Sequence, residues 1–432
     1  MQFVSTAGRA PPASLRTALL DGLAPDGGLY QPATLEMLPD AAVSRLIGNT
    51  FHDTALVLAR HLMGDELDED RLAAVVEGAL DFPIPLNRLD DQTFVLELFH
   101  GPTFAFKDVG ARFMARLMTA LRSESDAPLT VLTATSGDTG GAVANAFHGV
   151  PGIRVVVLYP QGQISPLQER QFTALGGNVT AVAVAGTFDD CQRMAKEALA
   201  SEQLRRETPL TSANSINVGR LLPQIFYYFH AWSQLADPAA DVLMAVPSGN
   251  FGNLTAGLMA KRLGLPVARF VAATNVNDVV PRYLDTGRFH PLDSVRTIST
   301  AMDVGDPSNF SRMLALFGGD AARMREAVVG SAHTDEDTRG AIARVSEQYE
   351  YVLDPHSAVG YLGLEAARAR RPGSVGILLA TAHPAKFAET VEPVIGRSVE
   401  VPQRLAVTLE REPQAVGIGP DTEQLERVLL SG

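Results

Sequence analysis

The chain holds a single cysteine, Cys191, among 432 residues. One thiol can form neither an internal disulfide nor a cysteine-based metal site, and such sparing use fits a reducing compartment, so the cytoplasm is the expected location. The nine histidines include no H-E-x-x-H and no pair four residues apart, which leaves a histidine-based zinc site without support; no metal is expected. Long apolar runs are missing as well. None approaches the ~20 residues of a membrane span, and residues 1–10 lack a basic end leading into an apolar segment, so neither export nor insertion is expected. Basic charge is in deficit: 36 Lys and Arg against 49 Asp and Glu leave −13, spread along the chain. That argues against a nucleic-acid partner or a polybasic anchor, and means that an anionic ligand must be captured locally. Neither G-x-x-x-x-G-K-[ST] nor G-x-G-x-x-G occurs, which removes the main support for an ATPase or a dinucleotide-dependent dehydrogenase.

What is present is an ordinary globular composition, 46% apolar and 20% charged, at a length that suits two or three domains. Apolar, strand-sized runs at 93–99, 129–134, 153–159, 179–184, 242–246, 269–274 and 375–381 alternate with segments of helical period. Val109, Phe113, Met114, Leu117, Met118 and Leu121 recur helically after Lys107, and 220–234 and 251–263 read as further helices. This alternation predicts an α/β protein in which parallel strands are covered on both faces by helices. The first 85 residues differ, with an acidic helical stretch at 65–80, a Gly/Pro turn at 24–28 and no strong buried strand. They read as an N-terminal cap, closed off by Pro83 and Pro85.

Three strand ends run straight into helices through small polar residues, the places where open α/β sheets collect ligands. The first carries Ser136, Gly137, Asp138 and Thr139. Its glycines let backbone N–H groups approach a carboxylate or phosphate at a helix start, although a tight turn capped by Asp138 would use the same letters. The second carries Gly249, Asn250, Phe251, Gly252 and Asn253, suited to a nest of donors around a phosphate, or to a plain turn. At the third, Thr381 presents a hydroxyl at a sheet edge or caps the next helix. Lys107 follows two aromatics at a helix start, where positive partial charge and apolar bulk favour the neutral, nucleophilic amine of an imine-forming lysine; a solvated surface lysine is the plain alternative. Asn214, Ser215, Asn217 and Arg220 open another helix and could hold a second anion, or merely cap it. Two anion cradles, an imine lysine and a sheet-edge hydroxyl together suit pyridoxal 5'-phosphate working on an anionic amino acid.

The strings FHGPTFAFKD at 99–108, SGDTGGAV from Ser136, NSINVGRLLPQI from Asn214, PSGNFGN from Pro247, DPHSAVG from Asp354 and TAHPAKF from Thr381 closely resemble the threonine synthases. With GLAPDGGLY at 22–30, the resemblance covers nearly the whole chain. It implies a tryptophan-synthase-β-like fold: two open, mainly parallel sheets flanked by helices, plus an N-terminal capping domain. The corresponding domains are 1–85, a large cofactor-binding unit of 86–125 with 236–432, and a smaller mobile unit of 126–235. It also implies that Lys107 carries the cofactor and shuttles protons. Gly249 to Asn253 would bind the cofactor phosphate through backbone N–H groups, and the Thr381 hydroxyl would face the pyridine nitrogen. Ser136, Gly137 and Thr139 would take the substrate carboxylate in a loop that also flanks the cofactor's phenolic oxygen, where Asp138, counted with the cofactor-binding residues, stands in place of the Asn of many relatives in the wider group, although SGDTG is usual for threonine synthases. Asn214, Ser215, Asn217 and Arg220 would hold the substrate phosphate. Ser5-Thr6-Ala7-Gly8 departs from the frequent S-T-R-G, with Arg9 the nearest arginine. The implied reaction converts O-phospho-L-homoserine and water to L-threonine and phosphate, by phosphate loss from Cγ and water addition at Cβ. A phospho-lyase paralogue releasing 2-oxobutyrate, a cofactor-binding regulator without turnover and a β-replacement synthase are the alternatives. A monomer or homodimer is expected.

Overall fold

The computed structural model describes residues 1–123 and 125–431; Glu124 and Gly432, which fall inside the expected domain ranges, lie outside the described residues. Two open sheets carry the fold. The larger has the order Val328–Ala332, Arg269–Thr274, Val242–Pro247, Val375–Ala380, Thr93–Glu97, Leu86–Arg88, parallel throughout except for the antiparallel edge strand Leu86–Arg88. The smaller has the order Val416–Ile418, Val179–Val184, Ile153–Pro160, Leu129–Ala134, Leu210–Ser212 and is wholly parallel. Every residue of Val242–Pro247 and Leu129–Ala134 is buried, because helices cover both faces of the central strands. The alternation of apolar runs and helical periods therefore predicts the class and most of the central strands correctly.

Between the sheets lies Lys107–Leu121, whose Val109, Phe113, Met114, Leu117 and Met118 are buried. It packs on Asp138–Phe147 of the smaller sheet and on Glu69–Ala79 of the N-terminal region. Arg112 fastens the second contact, donating from Nε to the Ala79 carbonyl at 2.7 Å and from Nη2 to that of Gly78 at 3.0 Å. The expected helix at 220–234 is in fact two, Val218–Leu221 and Gln224–Ser233, because Pro223 has no N–H to continue the ladder. All ten residues of the second are buried, and it packs against both Phe51–Met63 and Gly252–Arg262.

Three other expectations need correction. The N-terminal region does hold a sheet, Ala13–Ser14, Gln2–Ser5, Tyr30–Pro32, with Phe3 and Tyr30 in the core; its strands are too short to show a period. The last strand that 126–235 gives to the smaller sheet ends at Ser212, and the buried helix Gln224–Ser233 packs on helices outside that range. Residues 416–430, expected with the large unit, complete the smaller one instead. Val416–Ile418 pairs with Val182 to Val184, and Thr422–Leu430 packs on Phe188–Ala200. Arg154 secures that helix through the carbonyls of Leu429 and Val428, at 2.9 and 2.8 Å.

A fully buried Arg312 ties the regions together. Its guanidinium donates to the carbonyls of Tyr30, Ser215 and Ile216 and to Asn309 Oδ1, and burial lowers its pKa to about 9. Among the described residues no helix is long and apolar enough to cross a membrane.

Candidate active site

Both sheets present the C-terminal ends of their strands to one cleft. Its lining includes Lys107, Ser136, Asp138, Thr139, Asn214, Ser215, Arg220, Thr381 and the run from Gly249 to Asn253. Parallel strands all end on the same side, so residues far apart in the chain converge there.

Lys107 begins its helix at the inner end of the 99–106 loop, which is zipped to the 381–383 turn. Phe106 N donates to the Thr381 carbonyl at 2.8 Å, His383 N to that of Phe104 at 3.1 Å, and Ala105 bridges Ala382. Thr381 N in turn donates to Ser357 Oγ at 3.3 Å, and Ser357 Oγ donates to Asp354. The lysine and the threonine hydroxyl are thereby set by one another's backbone. Desolvation lowers the Lys107 pKa to about 8, opposed by the Asp138 charge and reinforced by Lys386 and Arg220. At neutral pH an appreciable fraction of such an amine is neutral, as imine formation needs.

At the 134–139 turn, Thr135 Oγ1 accepts from the N–H groups of Gly137 and Gly140 at 2.9 and 2.8 Å. Gly137 has φ 137°, and a Cβ there would meet the Gln168 amide at 2.6 Å. Only glycine fits the turn that swings Asp138 inward. The Asp138 carboxylate is buried; desolvation opposes its ionisation, but Lys386 and Lys107 overcome this and hold its pKa well below the usual range. Oδ1 is 2.5 Å from Lys386 Nζ and accepts from Gln168 Nε2 at 2.8 Å, while Oδ2 stands 3.9 Å from Lys107 Nζ.

At the 247–253 turn the donors are backbone. Phe251 has φ 59°, a strained value for a bulky residue, which starts Gly252–Arg262 abruptly. A Cβ on Gly249 would lie 2.5 Å from the Ala301 carbonyl oxygen. Asn250 Oδ1 accepts from Ser308 Oγ at 3.2 Å, and Asn253 Oδ1 accepts from the hydroxyls of Tyr227 and Tyr228 at 2.5 and 2.7 Å. Asn253 Nδ2 and Arg220 Nε are buried without a hydrogen-bond partner among the described residues. Burial also lowers the Arg220 pKa to about 10. Orphan donors around a cleft fit a bound anion, since leaving them unpaired costs about 1–3 kcal/mol each. The donors, the amine and the sheet-edge hydroxyl thus meet the requirements of pyridoxal phosphate.

Other residues from the sequence reading divide. Asn214 copies a strand residue, donating from Nδ2 to the Ala134 carbonyl at 2.7 Å and accepting from Ala134 N at 3.2 Å, yet it also lines the cleft. Ser215 Oγ accepts from Asn309 Nδ2 at 3.0 Å. Asn217 is a correction: fully buried, it donates to the carbonyls of Leu19 and Ser212 at 2.8 and 2.9 Å and caps Gly219 at 2.9 Å, outside the cleft lining. Its spacing marks a helix cap. Arg9 is exposed and turned to the Asp26 carbonyl at 3.3 Å. Sequence reasoning gave no role to Lys386, Gln168, Asp354 or His356. His356 shares the Asp354 carboxylate at 2.8 Å and accepts from Ala301 N at 3.2 Å, bracing the cleft wall. Among the described residues, no group of His, Cys, Asp or Glu is arranged to hold a metal ion.

Three family profiles match in succession: "Threonine synthase N terminus" over 2–80, "Pyridoxal-phosphate dependent enzyme" over 82–380 and "Threonine synthase, C-terminal" over 357–429. The chain is 43% identical to threonine synthase of Escherichia coli over 419 residues, 97% of this chain and 96% of that one. Its fold is similar to the crystal structure of Escherichia coli threonine synthase, with TM-score 0.94, 42% identity and full coverage of both chains. It is also similar to a pyridoxal-phosphate-bound threonine synthase from Brucella melitensis, with TM-score 0.91 and 35% identity over 100% of this chain and 99% of that one.

Proposed function

The chain belongs to the threonine synthase family of pyridoxal-phosphate-dependent enzymes, and from that premise we propose how its own residues share the work of converting O-phospho-L-homoserine and water to L-threonine and phosphate. The observation that carries the reading is the placement of Lys107 Nζ, 3.9 Å from Asp138 Oδ2, in a cleft also lined by the 249–253 turn and Thr381. In this reading Lys107 holds the cofactor covalently, Gly249, Asn250, Phe251, Gly252 and Asn253 hold its phosphate, and the Thr381 hydroxyl meets the ring nitrogen. When bound, pyridoxal phosphate supplies an electron sink for charge developing on the substrate carbons.

The substrate carboxylate is received by Ser136 and Thr139 at a helix start, in a turn shaped by Gly137, whose own N–H is taken by Thr135 Oγ1 outside the cleft lining. Arg220, with Asn214 and Ser215, holds the substrate phosphate; the unpaired Arg220 Nε supports this. Once the substrate amine has displaced it from the cofactor, the freed Lys107 amine would move the substrate Cα and Cβ protons in turn, and phosphate would depart from Cγ toward Arg220. Lys107 moves protons well because its lowered pKa lies near the working range. Water has to reach Cβ only after phosphate has left. The smaller unit, 129–212 with 416–430, therefore closes on bound substrate about the segment that Arg312 pins at Ser215 and Ile216. Scattering that shows no compaction with a substrate analogue would remove this closure.

Product analysis tests the reaction. The cofactor-loaded protein, given O-phospho-L-homoserine in heavy water, should yield threonine deuterated at Cγ by NMR. Appearance of 2-oxobutyrate and phosphate without threonine would instead identify a phospho-lyase, the reading that family membership disfavours. A cytoplasmic location and a monomeric or homodimeric state complete the proposal, the latter open to light scattering.

A further inference from the structure

Lys386 lies just after the last strand of the large sheet, in the 384–387 turn, with no solvent exposure of its side chain. A wholly buried ammonium needs partners, and this one has two: the Thr103 carbonyl at 2.9 Å and Asp138 Oδ1 at 2.5 Å. The carbonyl comes from the same loop that presents Lys107. Thr103 is itself fixed, donating from N and Oγ1 to Asp108 at 2.9 and 2.6 Å. Asp138 uses one oxygen on Lys386 and Gln168 and turns the other toward Lys107.

We propose that Lys386 is a positioning residue for the reaction: it neutralises and orients Asp138, so that this carboxylate guides the Lys107 amine without trapping it as a permanent ion pair. The proposal rests on Lys107 being the cofactor-bearing amine. Two cations share one carboxylate here, and the nearer of them is not the reactive one. Without Lys386, the whole Asp138 charge would fall on Lys107 and hold its nitrogen protonated. Without the Asp138 charge, Lys386 would be an unpaired buried cation repelling a proton from Lys107. The other charged groups acting on Lys107 are Arg220, which also disfavours the proton, and Asp354, which favours it. Asp108 faces Lys386 from the helix that Lys107 begins, and the neighbouring His383 also senses Lys386. Removing one member of the pair therefore changes the balance in a direction fixed by the member removed.

The test is a pH titration of the visible absorption band of the pyridoxal-phosphate-loaded protein. Lys386→Met should move the midpoint up by about one to three pH units, the effect of an opposite charge left unshared at this range. Asp138→Asn should move it down. The double variant should return close to the parent midpoint, with kcat recovering at least tenfold over Lys386→Met. Packing damage alone gives no such opposed shifts and no mutual rescue. Lys386→Gln, which keeps a polar end, provides the same upward shift if the methionine variant does not fold. Unshifted midpoints, shifts of the same sign in both single variants, or a double variant that keeps the Lys386→Met midpoint and kcat would overturn the proposal. Loss of the underlying assignment would look different: Lys107→Ala would then leave the band in place.

Discussion

The two strand-to-helix turns that face each other across the cleft solve the problem of holding an anion in opposite ways. The 247–253 turn is neutral: two glycines, a strained Phe251 and backbone donors, with its asparagines occupied by Ser308 and two tyrosines. The 134–139 turn carries a buried carboxylate among cations, fixed by Lys386 and Gln168. The first can only grip. The second can also respond to a proton, because its charge balance changes whenever Lys107 gains or loses one. Binding and chemistry are thus divided between the two sheets.

That division can be broken at several points. The largest effect is expected from Lys107→Ala, which should abolish the visible band and lower turnover about 10⁴-fold; a retained band would place the chemistry on another amine. Next, Gly249→Ala drives a methyl into the Ala301 carbonyl, a backbone atom that cannot move aside cheaply. An overpacking cost of about 1–3 kcal/mol translates to cofactor affinity weakened about 5–150-fold in a binding titration, with the pH midpoint untouched. Unchanged affinity would show that the neutral turn does not grip.

The third prediction concerns protons. With its pKa lowered to about 8, Lys107 in the cofactor-free protein should capture pyridoxal phosphate at a rate that rises with pH and levels off above that value. For stability the sign follows from linkage: the folded pKa lies below the unfolded one, so the burial penalty is felt in full below about 8 and fades as pH rises toward the ordinary lysine value. A capture midpoint near 10.4, the ordinary lysine value, would mean that burial does not lower the Lys107 pKa. The smallest effect is expected at Thr381→Val, which removes one hydroxyl contact of about 0.5–1.5 kcal/mol, less than or about a tenfold change in kcat/KM. A thousandfold loss there would make the ring contact part of the chemistry.

The central strands were legible because parallel strands covered on both faces read as near-continuous apolar runs, as in VLMAVP and, with two threonines, LTVLTA. Edge strands escaped notice. Val416–Ile418 has exposed and half-buried residues and only three of them, and Leu210–Ser212 is equally brief. Within the cleft, residues that act through local letters could be read: glycines at turns, a lysine at a helix start, a threonine ending a strand. Lys386 could not, because a buried lysine is written like an exposed one, and its partner Asp138 lies on the other sheet. Asn217 misled for the converse reason, since a cap and a ligand donor use the same amide.

The pairing of Val416–Ile418 with the outer strand Val179–Val184 also bears on how the polypeptide is made. Until residues 416–430 arrive, that strand is an open border with a row of unpaired amides, the feature by which incomplete chains stick to one another. The arrival of residues 416–430 therefore covers that edge of the smaller sheet. A chain shortened before Val416 would still contain Lys107, both turns and Thr381, yet would expose an adhesive edge on the smaller sheet.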